Sequence, residues 1–225
     1  MSKDTRPTIR LPRHLLEAWE LVGGLSDTSK MPELSWSTPA EECNVGGRLR
    51  LIPGSTCESC YARKGRYPTP TVQRAMYRRL ECWNRNQGPV FQKAMSQLTT
   101  ALVLEYFRWF DAGDLASVGM LVDIVEIAKR TPHIRYWLPT RELAIVNEYL
   151  AVTAEPFPDN LTVRVSAPMI NKPYTWMDLP HSSVFTDEHN PNAGTICRAY
   201  QNNGECGDCR HCWDRNVKHV TYLKH

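Results

Sequence analysis

Seven of the eight cysteines in this chain of 225 residues fall into two groups. Cys43 stands ahead of the pair Cys57 and Cys60 in CESCYA, and Cys197 stands ahead of Cys206, Cys209 and Cys212 in CGDCRHC. Two thiolates separated by two residues lie on one side of a tight turn, which suits tetrahedral zinc and cubane iron–sulfur clusters alike. Three cysteines at successive two-residue gaps discriminate better. Such a run wraps one corner of a cluster, whereas zinc usually draws paired ligands from two separate knuckles, so CGDCRHC favours iron–sulfur over zinc. With Cys197 as fourth ligand, the second group makes a closed four-thiolate site suited to electron relay or structural support. The first group has three thiolates, so a 4Fe-4S cluster held there leaves one iron open to a substrate or cofactor. The competing readings are that Cys43 is unrelated to the CESC pair, and that the protein binds zinc.

Other residues near these runs carry weaker signals. His181, His189, His211 and His219 are able to replace a thiolate, yet a single His on such a loop is more often solvent-facing or hydrogen-bonded, so none is assigned. Tyr61 follows Cys60 and Trp213 follows Cys212, where each is expected to shield a cluster from water, although ordinary core packing would place them similarly. Cys82 sits alone in a helical pattern and reads as a small buried hydrophobe.

The elements that must position these residues begin with a short amphipathic helix marked by Leu15, Leu16, Trp19 and Val22 and ended by Gly23-Gly24. Residues 25–60 read as a long irregular loop with a brief strand-like piece over 48–52, a stretch that wraps around something functional. Helices are expected over 71–86 and from Gly88-Pro89 to about residue 104. Beyond residue 105 strands at 106–110, 134–139, 161–167 and 183–187 alternate with helices over 117–130 and 142–154. That rhythm predicts parallel pairing with right-handed crossovers, giving an α/β fold that is either part of a βα barrel or an open doubly wound parallel sheet. One domain is expected, divided into an N-terminal helix and cluster loop (1–60), a βα core (61–187) and a cysteine-rich C-terminal segment (188–225).

In either architecture the loops after the strands build the site. Asp111, Gly113 and Asp114 follow the first strand, Thr140 and Arg141 the second, Ser166 the third, and Thr186, Asp187 and His189 the fourth. These positions are candidates to converge on one pocket; helix capping explains any single one of them equally well.

Composition sets the limits. The chain is long enough to bury a core without disulfide staples. No early apolar run is long enough for a secretory signal or membrane span, so a reducing cytosol is the expected place, with no membrane contact. Net charge is +3, too small by itself to argue for nucleic acid. Locally, Arg63, Lys64, Arg66, Arg74, Arg78, Arg79 and Arg85 crowd one stretch, and Arg198, Arg210, Arg215 and Lys218 another, each reading as a solvated face or a polyanion site.

The segments SKMPELSWSTPAEEC, GSTCESCYARKGRYP and FRWFDAGDLAS, with the ending from CRAYQNNG to TYLKH, resemble the bacteriophage gene-product-eighty-eight family from about Ser29 onward. More distantly, CxxCYA followed by helices, the strand and GD loop at 107–114, and the strand with Thr-Arg at 137–141 are similar to radical S-adenosylmethionine (SAM) proteins. That resemblance implies a partial βα barrel with a 4Fe-4S cluster near its open face, held here by Cys43, Cys57 and Cys60. In that superfamily the amino and carboxylate groups of SAM chelate the fourth iron, and reductive cleavage yields a deoxyadenosyl radical. The chain departs from the pattern in two ways. Thirteen residues separate Cys43 from Cys57 where the usual gap is three, and Ser59 stands where an aromatic commonly precedes the last cysteine. No clear glycine-rich SAM-amino motif is present, although Asp111-Ala112-Gly113-Asp114 occupies a suitable place; with Thr140 these supply the candidate cofactor contacts Asp111, Gly113, Asp114 and Thr140.

The sequence reading is therefore an iron–sulfur phage protein with one or two 4Fe-4S clusters, and radical-SAM-like chemistry fed by an electron donor is its most concrete activity. The alternatives are a non-catalytic electron carrier or structural protein that engages a host partner or nucleic acid through Arg74, Arg78 and Arg79, and a zinc protein.

Overall fold

The computed structural model describes residues 11–28, 30–103, 105–172, 176, 178–190 and 192–224. Helix α1 (Arg13–Val22) buries Leu15, Ala18 and Val22 and stops at Gly23, which takes the left-handed conformation. Strands β1 (Ser26–Asp27) and β2 (Leu34–Trp36) pair antiparallel. A 3-10 turn (Ala40–Glu42), helix α2 (Asn44–Leu49) and a second 3-10 turn (Tyr61–Arg63) lead to α3 (Pro70–Asn86) and α4 (Pro89–Leu102). Both long helices carry proline in their first turn, where a missing amide hydrogen costs nothing.

The alternating part follows: β3 (Tyr106–Trp109), α5 (Val118–Arg130), β4 (Arg135–Thr140), α6 (Leu143–Thr153), β5 (Leu161–Ser166) and β6 (His181–Phe185). Short β7 (Thr195–Ile196), a 3-10 turn (Arg198–Gln201) and β8 (His219–Leu223) complete the described chain. The result is a mixed α/β architecture, which among the described residues has six α-helices and one eight-stranded sheet that is parallel everywhere except between β1 and β2.

Strand order across the sheet is β1-β2-β3-β4-β5-β6-β8-β7. It rises without a break to β6 and inverts only at the β8–β7 edge, so the central reversal that defines a doubly wound sheet is missing. Right-handed crossovers in a steadily advancing sheet stack their helices in one layer. In keeping with that, α5 packs between α4 and α6, and α1 packs on α3 and α4.

The sheet has two differently used faces. Phe107, Trp109, Tyr136 and Leu138 join the main hydrophobic core with residues of α1, α4 and α5. Their neighbours along the strands, Tyr106 and Trp137, instead pack with Cys197, Cys212, Trp213, Val220 and Tyr222. The cysteine-rich C-terminal segment thus covers the face the helices leave open, and β5 is buried on both sides, as parallel strands usually are.

Three expectations need correction. Residues 48–52 form no strand: they are the last turn of α2 and the turn after it, with Leu51 and Ile52 exposed and the Leu49 carbonyl accepting from Ser55 Oγ at 2.6 Å. The span 25–60 is not continuous loop, since β1, β2 and α2 lie in it. The fourth expected strand begins two residues earlier than the expected 183–187, at His181. Strands β2 and β8, both inside the sheet, are further elements the sequence reading missed.

Candidate functional site

The first cysteine group is assembled by tertiary contacts. Cys43 precedes α2, a helix with the weak sequence NVGGRL that is held by the buried Glu142, whose Oε1 accepts from Val45 N at 2.7 Å. The loop bearing Cys57 is stitched to the chain beyond β5. Thr56 N donates to Pro168 O (2.9 Å), Thr56 Oγ1 to Ala167 O (3.0 Å), and Ile170 N to Gly54 O (2.9 Å). A tight turn then donates Cys60 N to Cys57 O at 3.2 Å. The group therefore lies over the carboxyl ends of the central strands.

Gly46 decides the space between these sulfurs. A Cβ built on it would stand 3.1 Å from Cys43 Cβ, 3.7 Å from Cys43 Sγ and 3.6 Å from Cys57 Sγ. Only a residue without a side chain leaves that volume free. Burial pushes the Cys43 and Cys57 thiols above their usual range, and neighbouring thiolates add to the rise, while the Arg141 guanidinium pulls both down. Arg141 is fixed there by Nε donating to Thr56 Oγ1 at 3.1 Å and by its own amide on Asp114 Oδ2 at 2.9 Å.

Beside Cys43 opens a cleft of about 850 Å³. Arg48, Ser117, Glu142 and Glu148 line it, together with the backbone at the start of α5. Both signs of charge face one volume.

None of Asp111, Gly113, Asp114 and Thr140 lines this cleft; the structure uses them to hold the loops that do. The buried Asp111 carboxylate accepts from Ser35 Oγ (2.9 Å), Ser37 Oγ and Tyr67 OH (3.1 Å). Asp114 accepts from Thr140 Oγ1 (2.6 Å), Leu115 N (2.8 Å) and Arg141 N (2.9 Å), and burial raises its pKa. Gly113 has φ +80°, and a Cβ there would collide with the side chain and carbonyl of Thr38. Ser166 Oγ accepts from Ser182 Oγ at 3.4 Å. Thr186 bonds Asn171, and Asp187 pairs with His189, all exposed.

The second group sits against the helix-free face. Cys197 N donates to Thr221 O (2.8 Å) and Cys206 N to Lys30 O (3.1 Å). Cys212 is buried with its Sγ 3.2 Å from Tyr222 OH, and burial pushes its pKa up to about 12. Cys197 and Cys206 are raised for the same reason, and the Cys197, Cys206 and Cys212 thiols each lie close enough to another cysteine of the group to be raised further by it. Arg164 anchors the segment from inside the sheet. Fully buried, it donates Nη1 to His181 O (3.1 Å) and Val217 O (2.9 Å), and Nη2 to His211 O and Asp214 O (both 3.0 Å). Trp213 completes the seal, donating Nε1 to Phe107 O at 2.9 Å.

Four N–H donors around this group have no acceptor. Arg108 Nε, Trp137 Nε1, Arg164 Nε and Arg210 Nε are four of the seven buried side-chain polar atoms without a partner among the described residues. Arg164 neighbours Cys212, Arg108 and Arg210 neighbour Cys206, and Trp137 packs on Trp213 with ring centroids 5.1 Å apart.

Among the described residues, no three His, Cys, Asp or Glu side chains gather closely enough around one point to hold a metal ion. Tyr61 is 58% exposed, so it shields less than expected; its hydroxyl donates to Asp111 O (2.7 Å) and accepts from Arg108 Nη2 (3.0 Å). Trp213 is buried as expected, and so is Cys82. Arg79, named for a polyanion surface, is buried with Nε on Gly24 O at 3.0 Å and is unavailable to a partner. Gly46, Glu142, Arg108 and Arg164 were missed. Arg164 alone left a signal, a lone charge inside the apolar run LTVRVSA. No described helix is long and apolar enough to cross a membrane.

A family model described as Gene product 88 matches residues 24–215, a span that includes every cysteine. No curated protein and no solved structure matches the chain.

Proposed function

This chain belongs to the Gene product 88 family of phage proteins, and from that premise we propose that it is an iron–sulfur protein with an open 4Fe-4S cluster on Cys43, Cys57 and Cys60 and a closed one on Cys197, Cys206, Cys209 and Cys212. The observation that carries the reading is the set of orphaned donors. Upwards of about 90% of buried N–H groups find an acceptor, so four without one beside a single group of thiols mark a place for an acceptor-rich anion. Sulfide and thiolate sulfurs are such acceptors, and hydrogen bonds to sulfur help set a cluster's potential.

Zinc suits the geometry less well. It usually draws paired ligands from two separate knuckles, whereas CGDCRHC offers three cysteines at successive two-residue gaps. A cubane distributes its thiolates over different irons and so asks for neighbouring, not convergent, sulfurs. Gly46 leaves the first group the room that a bulky inorganic group requires.

When bound, the open cluster would supply a one-electron source and a chelation site for a small ligand. Arg141 stabilises the thiolate forms of Cys43 and Cys57. The cleft is of ligand-binding size, and Arg48, Glu142 and Glu148 offer partners to a carboxylate and an amine, the groups SAM carries. Strand order that advances across the sheet and a site at the strands' carboxyl ends support a barrel-like, radical-SAM-like arrangement.

The test is anaerobic incubation of the reconstituted protein with dithionite and SAM. Matching amounts of 5′-deoxyadenosine and methionine are expected. A brown, dithionite-reducible protein that leaves SAM intact would remove the enzyme and keep the electron carrier.

A further inference from the structure

Charge is unevenly distributed along the chain. Between Cys43 and Leu80 there are eight basic residues and one acid, Glu58, leaving 19 of the 27 cations and 23 of the 24 acids to the rest. Of the eight, only Arg79 is buried. The fold brings much of this charge together. Tyr67 O accepts from Gln73 Nε2 at 3.1 Å, which ties the loop that carries Lys64 and Arg66 to the first turn of α3, the helix that carries Arg74. Glu41 and Glu42 also reach this face and are already engaged, Glu41 by Arg63 (4.0 Å) and Gln73 (3.4 Å), Glu42 by Tyr77 OH (3.2 Å). Lys64, Arg66 and Arg74 make no side-chain hydrogen bond or ion pair among the described residues, so their charges serve nothing inside the chain.

We propose that this face binds single-stranded nucleic acid, with Lys64, Arg66 and Arg74 on the phosphates and the Tyr61 ring beneath a base. Cations alone suit any polyanion. Tyr61 narrows the choice, because the residue is 58% exposed while its hydroxyl is tied down by Asp111 O and Arg108 and its ring meets Tyr67 edge-on at 5.9 Å, giving an aromatic platform that is already ordered. An ordered aromatic among cations is how strands with free bases are held. The inference goes beyond the cluster reading and does not depend on it. It also relocates the basic contacts from Arg79 to the loop beside Cys60.

The experiment is fluorescence anisotropy of a labelled single strand of about 20 nucleotides, long enough to span one binding face, titrated with the full chain. Micromolar binding is expected at about 100 mM salt, with log affinity falling against log salt at a slope of about −2 to −4, since each phosphate contact contributes about −0.7. The combined variant K64A/R66A/R74A should bind at least about tenfold more weakly, with a slope shallower by about 2. Tyr61→Leu should lose about fivefold or more with the slope unchanged, and Tyr61→Phe, which keeps the ring and loses the hydroxyl tether, should lose clearly less than Tyr61→Leu. The proposal is overturned if no binding is seen at about 50 mM salt, if the triple variant binds like the parent, or if polyglutamate competes as well as unlabelled oligonucleotide, which would assign the face to an acidic protein.

Discussion

Gly46 and Cys212 show how far single residues determine what the two cysteine groups can hold. The space left by Gly46 is bounded by the sulfurs of Cys43 and Cys57, so a branched side chain there fills the volume an inorganic group would occupy. Gly46→Val is expected to lower iron content by about half, one cluster of two, while the thermal midpoint of the metal-free chain changes little, because the position is only partly buried and has an ordinary helical backbone. Iron assay and a calorimetric melt on one preparation check both parts; full iron content in the variant contradicts the account. Cys212 is a case of protonation control. Its thiol is pushed up to about 12 by burial, whereas Cys209 is exposed. In the metal-free chain at about pH 8, iodoacetamide should label Cys209 within minutes and leave Cys212 unmodified, as read by mass spectrometry, because only the thiolate reacts. Spacing made the cysteines legible in the sequence. Gly46 was not, since its role comes from two sulfurs that tertiary structure brings to it.

At the scale of elements, β5 and the C-terminal segment depend on one another. The Arg164 guanidinium satisfies four carbonyls from three stretches of chain, and its removal strands them in a closed interior. Arg164→Met keeps much of the volume and loses every bond, so a destabilisation of at least about 3 kcal/mol is expected in urea unfolding, at about 1–3 kcal/mol for each buried group left without a partner. A loss below about 1 kcal/mol would mean that water replaces the guanidinium. The same comparison shows which elements could be read ahead. Helices α3 and α5 and strands β3 to β5 announce themselves because apolar residues repeat at the period of the element that buries them. Strand β2 is three residues long and β8 reads HVTYL between polar neighbours, so neither offers a pattern. Residues 48–52 mislead in the other direction. Leu and Ile suggest a strand, and the two glycines conceal a helix that Glu142 stabilises from ninety-seven residues away.

Across the whole molecule, a mostly parallel sheet carries a helical layer on one face and a cysteine-rich segment on the other, and two neighbouring inner strands beside this segment meet at a histidine pair. His181 and His219 stack with centroids 4.5 Å apart on neighbouring strands β6 and β8. Burial, then the His181 neighbour and Arg164, depress the pKa of His219 from 6.5 to about 4. A depressed imidazole contributes stability above the unfolded value, and that contribution is lost as pH falls through the folded one. The metal-free chain should therefore weaken between pH 6.5 and about 4, with a falling urea midpoint, and His219→Gln should flatten that fall. An unchanged slope in the variant would place the acid sensitivity elsewhere.

The central claim is that thiols from distant parts of the chain meet around inorganic sulfur, and the most direct measurement is iron, acid-labile sulfide and zinc per chain in anaerobically prepared protein. Two cubanes predict a brown protein with about eight irons and about eight sulfides per chain and no stoichiometric zinc. A colourless protein carrying zinc and no sulfide would contradict it, since zinc has a filled d shell and binds thiolate without bridging sulfide.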